Sequence, residues 1–218
     1  ELWPDATILF SPMESQIRTS LIHLISQIRK LNIFHILTYK QFKKAIYEII
    51  YILRADFVLT VSEPDRDHMK YLKHNGETLS IPTCLSTIEF PNIYPKYLFA
   101  DKKVVVFFAY FGSETNCQAL TWYIRKVHRQ VLNVVPDYQL RIIGHGINQE
   151  FMDQFHEQNI HWLGSVSNAI DALEDASLGI APAFYGSGTR GKIHQYSALG
   201  IPCVVSPLAC MGLSYKNG

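Results

Sequence analysis

The sequence predicts an α/β protein built on parallel sheets, with two units along the chain. Compact apolar runs such as Val104 to Tyr110 and Gln139 to Ile143 alternate with longer stretches whose apolar residues recur at helical spacing. That alternation lays helices on both faces of parallel strands. Turns at Gly112, Gly144-His145-Gly146, Gly164 and Gly186-Ser187-Gly188 fall at the carboxyl ends of the apolar runs, the edge along which ligands bind in such sheets. Between the two series, Ser86 to Asp101 carries Pro91 and Pro95 with little periodicity, the profile of a linker. The division is therefore residues 1–90, a linker over 91–101, and a second unit over 102–218.

In the first unit, Ala6 to Phe10 reads as a short strand. Ile17, Leu21, Leu24, Ile25 and Ile28 give a helix over Gln16 to Lys30, with Ser15 as its cap. Tyr39 to Arg54 repeats the pattern through Phe42, Ile46, Ile49, Ile50 and Leu53, and Ala55 to Ser62 is a buried-strand signal. Ser62-Glu63-Pro64-Asp65 places a cap, a first-turn proline and acids at the start of another helix, which stops near Asn75-Gly76. Thr78 to Pro82 is the last strand of the unit.

The second unit opens on the strand Val104 to Tyr110. A helix over Cys117 to Val134 follows, with Leu120, Ile124, Val127 and Val131 on one face. Then come strand Gln139 to Ile143, helix Gln149 to Gln158, strand His161 to Leu163, helix Asn168 to Asp175 and strand Leu178 to Pro182. A short helix after Gly191 and a strand Ile201 to Ser206 close the series.

Composition narrows the function classes. The 218 residues are 48% hydrophobic and 18% charged, which describes an ordered globular chain. The net charge of +1 provides no footprint for nucleic acid, so no nucleic-acid partner is expected. The four cysteines form no C-x-x-C pair and read as reduced thiols of a cytosolic protein. The opening residues lack a basic start and an apolar core, so no signal peptide is expected. No apolar run reaches the ~18 residues of a membrane span. The nine histidines show no metal-ligand spacing; His145 and His161, near strand ends, are the two retained as site candidates.

The densest chemistry lies at Gly186-Ser187-Gly188-Thr189-Arg190-Gly191-Lys192. A small-residue turn entering a helix offers free amides and the positive end of the dipole to a phosphate. Arg190 and Lys192 at that end oppose the dipole unless an anion lies between them, which favours anion binding over an accidental surface pair. The run approaches the phosphate loop of NTPases, but Ile193 stands where a magnesium-binding hydroxyl belongs. Gly144-His145-Gly146 follows a strand as a dinucleotide fingerprint would, yet Gln149 replaces its third glycine, so a plain tight turn competes with a ligand contact. Lys40 to Arg54 is basic and apolar; it reads either as a core helix with a basic solvent face or as a peripheral contact with an anionic membrane.

Four segments, in order, resemble the glycosyltransferases of family 4, whose fold is GT-B. Ala55 to Arg66 is similar to a late strand and helix of the family's N-terminal domain. Phe107 to Asn116 with Ala119-Leu120-Thr121-Trp122 resembles the first strand, loop and helix of the donor domain, and Val135 to Gly146 its second strand and turn. Gly186 to Ser206, with Gly200-Ile201-Pro202-Cys203-Val204-Val205, resembles its nucleotide-sugar site. The resemblance implies a Rossmann-like donor-binding domain joined to a partial acceptor-side α/β domain, with the donor domain cut short at Gly218.

The resemblance further implies a nucleoside-diphosphate-sugar donor and transfer to a glycan or lipid-linked acceptor in polysaccharide or glycoconjugate synthesis. No cofactor and no protein-held metal are expected. Carried over by position, Gly112 and Ser113 approach the diphosphate or sugar, and Gly188, Thr189, Arg190 and Lys192 hold the phosphates. Gln195 stands where the family has a ribose-binding glutamate, and Ser187 where it has the first glutamate of its E-x7-E pattern. No catalytic residue is singled out. The absent carboxylates keep a second reading open, a non-catalytic nucleotide-sugar-binding or partner-binding module.

Overall fold

Two parallel sheets organise the chain. A computed structural model describes residues 7–12, 39–73, 76–86, 102–173, 175–184 and 190–213. The chain divides into a first unit running to Cys84, which also takes Cys210–Leu213, and a second comprising Leu85–Phe184 and Arg190–Ala209. The helix predicted over Gln16 to Lys30 lies outside the described residues.

In the first unit, β1 (Leu9–Phe10), β2 (Phe57–Thr60) and β3 (Glu77–Ser80) pair in parallel in that order. Helix α1 (Tyr39–Arg54) and helix α2 (Glu63–Leu72) pack with them around Ile52, Ala55, Val58 and Met69. Ser62 caps α2 as its sequence predicts: it is extended, accepts the Asp65 amide at 3.3 Å and donates to the Asp65 carboxylate at 2.7 Å. The buried Lys73 ammonium donates to the carbonyls of Ile52 and Ala55, closing the C-terminal end of α1.

Helix α1 turns differently from its apolar pattern. Among its described side chains Glu48 and Ile52 are buried, whereas Ile46, Ile49 and Leu53 of the predicted apolar stripe are exposed. The physical reason is that Ile52 and Ala55, one turn apart, meet Val58 and Met69, so the unit takes one edge of the helix's apolar arc and leaves Ile46, Ile49 and Leu53 outside that contact.

In the second unit, five parallel strands run in the order β6-β5-β4-β7-β8, namely Ile160–Gly164, Gln139–Ile143, Val104–Phe108, Leu178–Ala181 and Cys203–Val205. Central β4 alternates sides, as a strand covered on both faces must. Val105 and Phe107 join Leu120, Ile124, Leu140 and Ile142 in one core. Val104 and Val106 join Ile143, Leu173, Tyr196 and Ile201 in the other. Helices α3 (Glu114–Tyr123), α4 (Arg129–Val134), α5 (Gln149–Met152), α6 (Ala169–Leu173) and α7 (Gly191–Ala198) make the crossovers.

Two helices depart from the sequence reading. The long crossover helix begins at Glu114 and passes through a π-helical turn, Ile124–His128, before α4. That wider turn buries both Ile124 and His128. The His128 imidazole contacts the Tyr138 hydroxyl through Nδ1 and the Gln158 carbonyl through Nε2, the latter at 2.8 Å. Helix α5 ends at Met152, short of Gln158, because the chain turns to bury Phe155 against Trp162 and Phe151.

Strand β4 pairs with β5 along its full length, from Val104↔Gln139 to Phe108↔Ile143. With β7 it pairs only at Val105↔Leu178 and Val106↔Gly179. Strand order reverses at this same place, and a crevice opens beyond the carboxyl ends of such strands.

Candidate functional site

A cavity of about 350 Å³ occupies that crevice, lined by Phe108, Ala109 and Tyr110 after β4, Gly144 and His145 after β5, and Lys192 and Gln195 of α7. The turn at Gly144-His145-Gly146 builds one wall. Gly144 and Gly146 have φ of 145° and 89°, and a Cβ would lie 1.6 Å from the Ala109 carbonyl oxygen at the first and 2.7 Å from the Gly112 amide nitrogen at the second. Both glycines are therefore required for the β4 and β5 loops to touch. His145 between them accepts the Phe111 amide through its own carbonyl at 2.7 Å. Its ring stacks on Tyr110 with centroids 6.1 Å apart, and Nδ1 lies 3.1 Å from the Ser165 hydroxyl. The turn is thus both a structural joint and a ligand-facing surface.

Lys192 supplies the charge. Its ammonium donates to Asn116 Oδ1 at 3.1 Å and lies 5.0 Å from the centre of the Phe107 ring. Burial, with the Arg190 guanidinium adding to it, pulls its pKa down to about 7. Arg190 is half-buried at the N-cap of α7, where its side chain makes no capping bond. No carboxylate among the described residues lines the cavity. Among the described residues, no group of three His, Cys, Asp or Glu side chains is placed to hold a metal ion.

Of the residues singled out in the sequence, the structure brings Lys192, Gln195 and His145 to the cavity. Gly112 and Ser113 do not line it: Gly112 is exposed beside Gly146, and Ser113 starts α3 as an N-cap whose hydroxyl makes no capping bond. His161 is exposed on edge strand β6. Gly188 and Thr189 lie outside the described residues. Tyr110 and Asn116 carried no role in the sequence reading; the local signal available for Asn116 was a polar amide in the first turn of a helix after a glycine loop.

Residues 102–216 match the family described as Glycosyl transferases group 1. The chain belongs to the glycosyl transferases group 1 family. That match spans every strand of the five-stranded sheet and the whole cavity. No curated protein matches the chain.

Solved structures show the same GT-B glycosyltransferase fold. TarM aligns with a TM-score of 0.64 and 17% identity over 81% of this chain and 34% of its own. Anabaena HepE in complex with UDP-glucose aligns at 0.62 and 14%, over 96% of this chain and 56% of its own. Sucrose-phosphate synthase from Thermosynechococcus elongatus aligns at 0.64 and 14%, over 93% and 50%. The chain spans between a third and six tenths of the length of these proteins. Among the described residues, no helix is long and apolar enough to cross a membrane.

Proposed function

We propose that this group 1 glycosyl transferase binds a nucleoside-diphosphate-sugar in the switch-point cavity and passes the sugar to a glycan or lipid-linked acceptor. The observation that carries the reading is a cavity with no carboxylate among its described lining residues, with the Lys192 ammonium at its wall and Arg190 two residues away. Such a place attracts a diphosphate. HepE, a neighbour in fold, has been solved with UDP-glucose, which supports the donor class.

In this reading Lys192 and Arg190 stabilise the departing diphosphate, and orientation of donor against acceptor supplies most of the remaining rate. Gln195 donates or accepts at a ribose hydroxyl through its amide. Gly112, Ser113, Gly188 and Thr189 approach the diphosphate or sugar. The donor is a substrate, with no resident cofactor. Residues 1–90 form part of the acceptor side, 91–101 the connection and 102–218 the donor side.

The setting we infer is polysaccharide or glycoconjugate synthesis at the cytoplasmic face of a membrane. Exposed Ile46, Ile49 and Leu53 on α1, beside Lys43, Lys44 and Arg54, support a peripheral contact with anionic lipid. Co-sedimentation with anionic vesicles that fades with salt is the expected result, and indifference to lipid charge would reject the contact.

Calorimetric titration of UDP-, GDP- and ADP-sugars, into the wild-type chain and the Arg190→Ala/Lys192→Ala variant, tests the donor site. Binding by the wild type and its loss in the variant are expected; no wild-type binding, or equal binding by both, sinks the reading. One observation favours a second reading, a nucleotide-sugar-binding module without transfer. Neutral Gln195 stands at the cavity where the family resemblance implies a carboxylate. That module would bind donor yet neither transfer nor hydrolyse its sugar.

A further inference from the structure

We propose that Asn116 is the positioning residue for Lys192, holding its ammonium at the cavity wall with a neutral acceptor so that the positive charge stays available to an anionic ligand. The proposal rests on the reading of the cavity as a diphosphate site. Asn116 Nδ2 donates to the Tyr110 carbonyl at 2.7 Å, while its Oδ1 accepts from Lys192 Nζ at 3.1 Å. The first bond fixes the second. With the amide nitrogen committed to a carbonyl, the oxygen is the atom that faces the ammonium.

A lysine stem has four flexible carbons and points nowhere by itself. The other groups at this ammonium do not aim it. The Phe107 ring attracts it without direction, and Arg190 repels it. Asn116 therefore ties α7 to the β4 loop across the cavity, through a side chain that carries no charge. A carboxylate at 116 would tether the ammonium more strongly and neutralise it, which an anion site cannot use. The titratable and charged groups around the ammonium, among the described residues, are Arg190 on its own helix and, along the cavity it shares, His145 from the β5 loop and Tyr110 from the β4 loop.

The test uses the full chain and the variants Asn116→Leu and Asn116→Asp, the first also in a Lys192→Met background. First, the Lys192 Cε resonances are followed against pH without ligand. The midpoint rises in Asn116→Asp and falls in Asn116→Leu. Second, UDP-glucose affinity falls roughly tenfold in Asn116→Leu, the weight of one hydrogen bond to a charged group, and further in Asn116→Asp. In the Lys192→Met background Asn116→Leu changes affinity less than about twofold. Thermal unfolding confirms that each variant is folded, and the two opposite midpoint shifts separate positioning from simple loss of structure. Equal midpoints in all three proteins, or an Asn116→Leu affinity loss that persists without Lys192, overturn the proposal. If the midpoints move but the wild-type chain binds no nucleotide-sugar, the donor reading fails and the positioning role falls with it, while the Asn116–Lys192 coupling stands.

Discussion

Tyr196 occupies the space that a side chain on Gly179 would need: a Cβ there would lie 2.5 Å from Tyr196 Cδ2. The fully buried ring passes over β7, and its hydroxyl accepts the Phe108 amide at 2.9 Å and donates to the Val106 carbonyl at 3.3 Å. Those two groups face β7, where the β4–β7 ladder has already ended at Val106↔Gly179. Tyr196 thus replaces the missing strand pairing at the floor of the crevice, one residue after Gln195.

Removing the hydroxyl while keeping the ring isolates that function. Tyr196→Phe leaves the Phe108 amide without its partner and is expected to cost about 1–3 kcal/mol in urea unfolding. Gly179→Ala is expected to cost about 1–3 kcal/mol through overpacking. Tyr196→Leu combined with Gly179→Ala should be less destabilising than the sum of the two single changes, because both act on one space. Strict additivity would contradict the shared-space reading.

The turn after β5 offers a sharper contrast. Gly144→Ala drives a Cβ to 1.6 Å from the Ala109 oxygen at a positive φ, so a loss of roughly 3 kcal/mol or more is expected together with loss of nucleotide binding. Gly191→Ala, with no atom of the described residues within 4 Å of the new Cβ, should be neutral or stabilising by about 0.4–1 kcal/mol. Thermal unfolding of the two variants side by side checks the pair.

Lys192 makes donor binding depend on pH. Its ammonium titrates at about 7 in the folded chain, against about 10.4 when unfolded. Between those values the unfolded state holds the extra proton, so this group's contribution to stability rises with pH. A bound diphosphate favours the charged form instead, so binding takes up a proton. Affinity for UDP-glucose should be greatest below pH 7 and fall above it by up to about tenfold per pH unit. Calorimetry in buffers of different ionisation enthalpy reads the proton uptake directly. A profile in Lys192→Met as steep as in the wild type would contradict the assignment.

His128 acts on the acid side. Burial lowers its pKa from the ordinary histidine value, so as pH falls through about 6.5 the unfolded chain takes up a proton that the folded chain resists. Stability should therefore decline on acidification below that value. His128→Gln should flatten part of the decline and cost about 1–3 kcal/mol near neutrality, through loss of its bonds to Tyr138 and Gln158. Melting temperature against pH for both proteins measures both effects.

Much of the fold was legible because its signals are local. Strand Gln139–Ile143 and helix Tyr39–Arg54 fall where the apolar pattern puts them, and Ser62 caps α2 through a spacing visible in four residues. The misreadings have tertiary causes. Helix α5 is short because Phe155 is drawn into the core, and α1 buries Ile52 in place of Ile49 because the sheet meets it on that side. In the site, Lys192 was readable from a turn-to-helix motif and Gln195 from the family resemblance, whereas Tyr110 and Asn116 belong to no motif the residues alone single out.

The sequence by itself determined the alternation of strands and helices, the glycine turns at the strand ends and the cationic entry to α7. It did so because periodicity, capping and chain flexibility act over a few residues. Only the tertiary structure decided what those turns meet. Lys192 finds Asn116 across 76 positions of sequence and Tyr196 finds Phe108 across 88. The reason is the reversal of strand order at β4 and β7, which folds distant loops onto one edge of the sheet.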